Sequence, residues 1–233
     1  MSIIIKMKKK KIVVLTGAGI SAESGIQTFR DADGLWEGHD VMAVASPEGW
    51  NKNQALVLDF YNQRRAQLNN VVPNEAHKAL AELEAKYEVC IITQNVDDLH
   101  ERGGSTRVVH LHGELKKVRS VLDDTVTYAC DKDIVLGDCC ENGGQLRPHI
   151  VWFGEAVPLI EVAAEICGMA DIFMIIGTSM QVYPAAGLVD FVEDNTPKYF
   201  IDPKPAAVKL PNLRVIEDKA STGVRNLVDE LMQ

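Results

Sequence analysis

The chain has 233 residues, 46% of them hydrophobic and 24% charged, with only 9 prolines, which permits a substantial buried core and excludes a disordered polypeptide. A formal charge of −9, carried by acidic residues spread along the sequence, argues against a grip on nucleic-acid phosphates. No apolar run reaches membrane-spanning length. The five cysteines are odd in number and irregularly spaced, which points to a reducing compartment without a disulfide framework. The expectation is a cytoplasmic protein with neither a nucleic-acid nor a membrane partner.

In chain order, the basic cluster of Lys6 and Lys8 to Lys11 reads as a solvated lead-in, with a phosphate- or membrane-binding tail as the alternative. Short β-branched runs at 11–16, 88–93, 107–110, 171–176, 198–201 and 213–216 predict strands buried on both faces. Helical patterns fall between them at 53–68, 74–86, 159–168, 185–192 and 222–231. This alternation predicts an α/β fold, a Rossmann-like doubly wound parallel sheet. The whole chain, 1–233, reads as one domain. Two stretches break the rhythm, and they predict a smaller inserted subdomain from about 26–70 and 114–147.

The first strand runs into Gly17-Ala18-Gly19-Ile20-Ser21, a turn whose glycines let backbone approach a pyrophosphate and which opens onto an expected helix. The spacing departs from the dinucleotide fingerprint, and a plain tight turn accounts for it equally well. Phe29 and Arg30 follow and could cover a bound nucleotide. After the strand at 88–93 comes Gln94-Asn95-Val96-Asp97-Asp98, either a ligand-binding cluster at a strand's carboxyl end or a polar loop with a helix cap. The next strand ends in His110-Leu111-His112-Gly113. A histidine here can take a proton from a sugar hydroxyl, with the glycine leaving room for a ligand, or it can be structural.

The Gly-Ala-Gly-Ile-Ser loop running to Phe29-Arg30, then Gln94-Asn95-Val96-Asp97 and His112-Gly113, in this order, resemble the sirtuins. The matches extend from Lys11 to about Pro203. The resemblance implies NAD as co-substrate, bound by Gly17, Ala18, Gly19, Phe29, Arg30, Gln94, the turn Gly177-Thr178-Ser179, and Asp202, where the family often has Asn. It implies His112 as catalytic base, with Asn95 and Asp97 in the nicotinamide and ribose pocket. Arg147-Pro148-His149-Ile150-Val151-Trp152-Phe153-Gly154-Glu155 is similar to the segment that pairs with a substrate peptide as an added strand, so Val151, Phe153, Gly154, Glu155 and, from the family's later turn, Val182 are expected at the peptide. The activity implied is removal of acyl groups from protein lysines, giving nicotinamide and acyl-ADP-ribose. An NAD-dependent ADP-ribosyltransferase and a silent NAD- or ADP-ribose-sensing module are the alternatives; a hydride-transferring dehydrogenase lacks a substrate domain here.

Tyr61 and Arg64 stand three apart on the helix at 53–68, the spacing of one helical face. Alone they read as an amphipathic surface pair; within a sirtuin-like chain, Tyr-x-x-Arg resembles the mark of the desuccinylase and demalonylase class, an Arg and a phenol for an acyl carboxylate. Ala22 and Thr28 are similar to the same class in its bacterial form. Sirtuins commonly insert a four-cysteine zinc module before the Arg-Pro segment. The corresponding positions here fall near Ser120, Asp123, Cys139 and Asn142, so zinc is not expected. An irregular site from Cys130, Cys139 and Cys140 with Asp123 or Asp131 is the alternative.

Overall fold

The computed structural model describes residues 9–27, 35–36 and 38–233. Its strands are β1 (Lys11–Thr16), β2 (Leu35–Trp36), β3 (His39–Asp40), β4 (Glu88–Thr93), β5 (Val108–His110), β6 (Gly113–Ser120), β7 (Thr127–Ala129), β8 (Leu146–Ile150), β9 (Ile172–Ile176), β10 (Lys198–Ile201) and β11 (Leu213–Ile216). Its α-helices are α1 (Val41–Val44), α2 (Pro47–Lys52), α3 (Gln54–Leu68), α4 (Glu75–Glu82), α5 (Leu99–Arg102), α6 (Ile160–Cys167) and α7 (Ala220–Met232). None of the described helices is long and apolar enough to cross a membrane.

Six strands make one parallel sheet in the order β11-β10-β9-β1-β4-β5. The chain starts at the centre, builds outward through β4 and β5, then returns to β9 on the other side of β1. Loops leaving β1, β4 and β9 therefore diverge at their carboxyl ends, which opens a crevice there. Side-chain alternation loads both faces. Ile12, Val14, Ile91 and Met174 pack with α4 and α7, while Val13, Leu15, Ile92 and Phe173 pack with α6 and residues 185–191. The doubly wound reading holds, and the inner strands β1, β4 and β9 lack a polar face because neither of their faces meets water.

Two of the expected helices form as 3₁₀ rather than α-helix. The Gly17 loop opens onto two 3₁₀ turns, Ala18–Ile20 and Ala22–Ser24, ended by Gly25 in the left-handed region at φ 96°. Glycines at 17, 19 and 25 leave too few helix formers for an α-helical nucleus. The segment at 185–192 is a 3₁₀ helix, Ala185–Phe191, entered from Pro184 and containing Gly187, a residue that weakens α-helical propagation.

The polar insert is better ordered than its sequence suggested. It holds an antiparallel sheet, β7-β6-β8, with a register shift between Glu114 and Val118. Lys116, Lys117, Arg147 and His149 mask its period in the sequence. Leu115, Val118, Ile150 and Trp152 nevertheless share a third core with Trp50, Leu58 and Tyr61. Buried side chains of α3 tie this unit together. Arg65, 2% exposed, donates from Nε to the Leu115 carbonyl at 3.0 Å and from Nη1 to Asn62 Oδ1 at 2.9 Å and the Lys132 carbonyl at 3.3 Å. Asn62 in turn donates to the Ile134 carbonyl at 2.9 Å and accepts from its N–H at 3.0 Å.

Candidate functional site

The crevice is assembled loop on loop. Gly17 N–H donates to the Ile176 carbonyl at 3.0 Å, Gly19 N–H to the Gly177 carbonyl at 2.8 Å, and Gly177 N–H to the Ile201 carbonyl at 3.0 Å. Gly177 is left-handed at φ 61°, and a Cβ there would strike the Ile20 nitrogen. Glycine is required because the two turns pack backbone against backbone. Gln94 joins them: its N–H donates to the Thr16 carbonyl at 2.9 Å and its Nε2 to Thr178 Oγ1 at 3.1 Å. Ala18, Gln94 and Ser179 are partly exposed along this edge, and Asp202 is buried at the end of β10, accepting the Lys204 N–H at 2.8 Å. Phe29, Arg30 and Thr28 lie outside the described residues.

Asn95 and Asp97 converge on a buried serine that sequence reasoning passed over. Ser21 Oγ donates to Asp97 Oδ2 at 3.1 Å and accepts from Asn95 Nδ2 at 3.2 Å. Asp97 also accepts the Leu99 N–H at 3.1 Å, so it caps the following turn as well as meeting Ser21. Burial pushes its carboxyl pKa up, with those two hydrogen bonds working against the rise. Behind them sit His77 and His100, rings edge to face at 4.9 Å. His77 Nε2 is 3.5 Å from Ser21 Oγ, and His100 Nε2 is 3.1 Å from Thr16 Oγ1. Burial lowers both, His77 to about 4, and both are neutral. The sequence did not mark them, since α4 and α5 place each histidine among charged neighbours, and only the fold shows that their partners are Ser21 of the glycine loop and Thr16 at the end of β1.

The two histidines after β4 separate cleanly by environment. His110 lies between the Asn95 carbonyl, 3.2 Å from Nδ1, and Glu101 Oε1, 2.8 Å from Nε2. Burial opposes its charge, but the Glu101 hydrogen bond and charge outweigh it and raise the pKa. His112 Nδ1 is 3.0 Å from the Gln94 carbonyl oxygen. A carbonyl only accepts, so Nδ1 carries the hydrogen and Nε2 keeps its lone pair. Burial lowers the His112 pKa against that hydrogen bond, leaving a neutral imidazole. Gly113 serves a purpose other than the one expected. It is left-handed at φ 84°, and a Cβ there would collide with the His149 carbonyl; the room it leaves is for β8.

Beyond β8, Val151 N–H donates to the His112 carbonyl and Phe153 N–H to the Ala45 carbonyl, both at 2.9 Å. Phe153 and Gly154 are exposed, and a Cβ on Gly154, at φ 89°, would meet open space. Val182 is exposed as well. Glu155 braces the segment from within: its carboxylate accepts from Arg147 at 2.7 and 3.2 Å, from Arg119 at 3.4 Å and from Trp152 N–H at 2.8 Å. These partners hold its pKa below the usual carboxylate range despite burial. Tyr61 is fully buried, and its Oη accepts from Trp152 Nε1 at 3.0 Å; burial raises its phenol pKa. Arg64, one turn on, lies over the Phe60 ring at 5.2 Å.

The insert's thiols do not present a tetrahedral donor set. Cys130 is buried with Sγ 3.2 Å from the Lys132 carbonyl, Cys139 is exposed, and Cys140 Sγ donates to Asn142 Oδ1 at 2.6 Å. Asp123 is taken by Thr125. Among the described residues no three His, Cys, Asp or Glu side chains group as metal ligands.

A family model described as the Sir2 family matches residues 17–184. The chain is 58% identical over 225 residues to an NAD-dependent protein deacylase of Helicobacter pylori (strain ATCC 700392 / 26695), covering 96% of this chain and 98% of that protein. It is 53% identical over 225 residues to one of Bacteroides thetaiotaomicron, covering 94% and 96%. Among solved structures, a Sir2 homologue in complex with NAD superimposes with a TM-score of 0.86 at 37% identity, over 96% of this chain and 90% of that one.

Proposed function

The chain belongs to the Sir2 family and is an NAD-dependent protein deacylase, and we propose that it removes succinyl and malonyl as well as acetyl groups from lysine side chains of proteins, with His112 as the base. The observation that carries the assignment of the base is the His112 imidazole, neutral and fixed through Nδ1 on the Gln94 carbonyl. Its Nε2 is the nitrogen able to take a proton from a ribose hydroxyl. His110 faces the Asn95 carbonyl and the Glu101 carboxylate at its two ring nitrogens, and its pKa is raised rather than lowered.

NAD fits the crevice. Gly17, Ala18 and Gly19 offer a turn whose Ala18 N–H takes no acceptor among the described residues, suited to phosphate. Gln94, Gly177, Thr178, Ser179 and Asp202 are the other residues assigned to it, together with Phe29 and Arg30. When bound, NAD supplies the anomeric carbon that accepts the acyl oxygen as nicotinamide leaves. Asn95 and Asp97, locked on Ser21, hold the nicotinamide and ribose end. With one water consumed, the products are free lysine, nicotinamide and 2′-O-acyl-ADP-ribose. Val151, Phe153, Gly154, Glu155 and Val182 take the substrate peptide, chiefly by backbone, since the Glu155 carboxylate is engaged by Arg119 and Arg147. The insert, about 26–70 and 114–147, works without zinc, and the protein acts in the cytoplasm.

The acidic acyl preference rests on Tyr61 and Arg64, a phenol and a guanidinium one helical turn apart beside the peptide segment. The test is Arg64→Met with matched succinyl- and acetyl-lysine peptides and NAD, products read by mass spectrometry. Succinyl turnover should fall about tenfold or more relative to acetyl, the worth of one charge-assisted hydrogen bond. Equal loss on both peptides removes the carboxylate pocket from the reading.

A further inference from the structure

Trp152 is buried, and its indole N–H is spent on a single acceptor, the Tyr61 oxygen at 3.0 Å. An indole nitrogen can only donate, so the Tyr61 oxygen can only accept in that bond. The phenol hydrogen must therefore point elsewhere, and among the described residues no acceptor meets it. A fully buried hydroxyl with an unspent donor is costly unless something arrives to accept it. Without the indole, the same phenol could turn its hydrogen toward any acceptor in reach and present a lone pair to the acyl group. A lone pair repels a carboxylate, whereas an O–H binds it.

We propose that Trp152 is the positioning residue that makes Tyr61 a hydrogen-bond donor, and so a determinant of selectivity for acyl groups ending in a carboxylate. This rests on the reading of Tyr61 and Arg64 as the acyl-carboxylate site. Trp152 is well placed to act so. Its ring is clamped between Trp50, at a centroid distance of 5.7 Å, and the Arg147 guanidinium, 3.2 Å over its face. Arg147 is itself held by Glu155, which also takes the Trp152 N–H at 2.8 Å. The indole therefore has one orientation, and the phenol inherits it. The same backbone segment that meets the peptide thus also sets the polarity of the acyl pocket.

The experiment compares Trp152→Phe, Tyr61→Phe, the double variant and Arg64→Met, each with succinyl- and acetyl-lysine peptides, reading the ratio of the two kcat/KM values. Trp152→Phe should lower the succinyl-to-acetyl ratio about tenfold, through KM for the succinyl peptide, and adding Tyr61→Phe should change the ratio no further. A role confined to packing would lower kcat on both peptides and leave the ratio alone. Where phenylalanine fails to fill the site, 3-benzothienylalanine at position 152 keeps the bicyclic shape and lacks only the N–H, and the same drop is expected. If Tyr61→Phe lowers the ratio but neither replacement of Trp152 does, or if the two effects multiply, the proposal is overturned and the carboxylate reading survives. If Tyr61→Phe and Arg64→Met both leave the ratio unchanged, the carboxylate reading fails and the proposal falls with it.

Discussion

Protonating His77 should unlock the NAD crevice before the rest of the sheet yields. Its Nδ1 accepts the Asn74 N–H at 3.3 Å, its Nε2 faces Ser21 at 3.5 Å, and burial, only partly opposed by the Glu101 charge, lowers its pKa from 6.5 to about 4. The folded pKa lies below the unfolded one, so the unfolded chain binds the proton first. Stability is therefore intact above pH 6.5, falls as pH drops toward 4, and loses nothing more from this group below that. A shift of about 2.5 units corresponds to roughly 3 kcal/mol in full, of which about 2 kcal/mol is lost between pH 7.5 and pH 5. Urea unfolding of wild type and His77→Gln at both pH values isolates it, because groups common to both proteins cancel. The variant should start less stable at pH 7.5 yet lose about 2 kcal/mol less on acidification. Equal losses would mean that His77 titrates as an ordinary histidine and that the network around Ser21 is not held by a neutral ring.

Three further outcomes follow from the site and its supports. The lowered His112 pKa predicts that kcat/KM rises with pH along a limb centred below the ordinary histidine value of 6.5, and that His112→Tyr abolishes turnover while circular dichroism is unchanged; turnover retained in the purified variant removes His112 as the base. Gly177→Ala forces a side chain into the left-handed region and into the Ile20 backbone, so we expect a loss of about 1–3 kcal/mol and a raised KM for NAD in peptide assays. Arg65→Met leaves the Leu115 carbonyl without its donor and the Lys132 carbonyl with the Cys130 thiol alone and should cost about 1–3 kcal/mol in thermal or urea unfolding, whereas a zinc chelator should leave wild-type Tm unmoved; a chelator-sensitive Tm would show a metal-held insert.

The parallel sheet was readable because its inner strands, β1, β4 and β9, are buried on both faces. Residues such as Val13 and Val14 face different cores, so the run is apolar without interruption and cannot be mistaken for a solvent-facing strand. The insert hid for the opposite reason. Strand β6 (Gly113–Ser120) carries Glu114, Lys116, Lys117 and Arg119, and its apolar positions are shifted by the irregularity between Glu114 and Val118, which destroys a period of two. The helix type was hidden for a related reason: apolar spacing marks which face packs but does not distinguish a 3₁₀ turn from an α-helix when glycine or proline limits its length.

Site residues divide along a similar line. Those at strand ends could be placed from sequence order alone, because a parallel sheet brings every carboxyl end to one edge. Residues that work through a partner could not. Ser21 gains its place from Asn95 and Asp97, 74 and 76 positions away, and Trp152 from Tyr61, 91 positions away. Nothing local marks such residues, since a serine in a glycine loop and a tryptophan in an apolar run are unremarkable where they stand. The tautomer of His112 is the sharpest instance. Motif order can nominate the histidine, but the Gln94 carbonyl 18 positions earlier decides which nitrogen keeps its lone pair, and the Glu101 carboxylate beside His110 occupies Nε2 of the neighbouring histidine. Chemistry at this edge is therefore set by pairs across the sheet, and a substitution at Ser21, Glu101 or Trp152 should alter the reaction as surely as one at the residues that touch substrate.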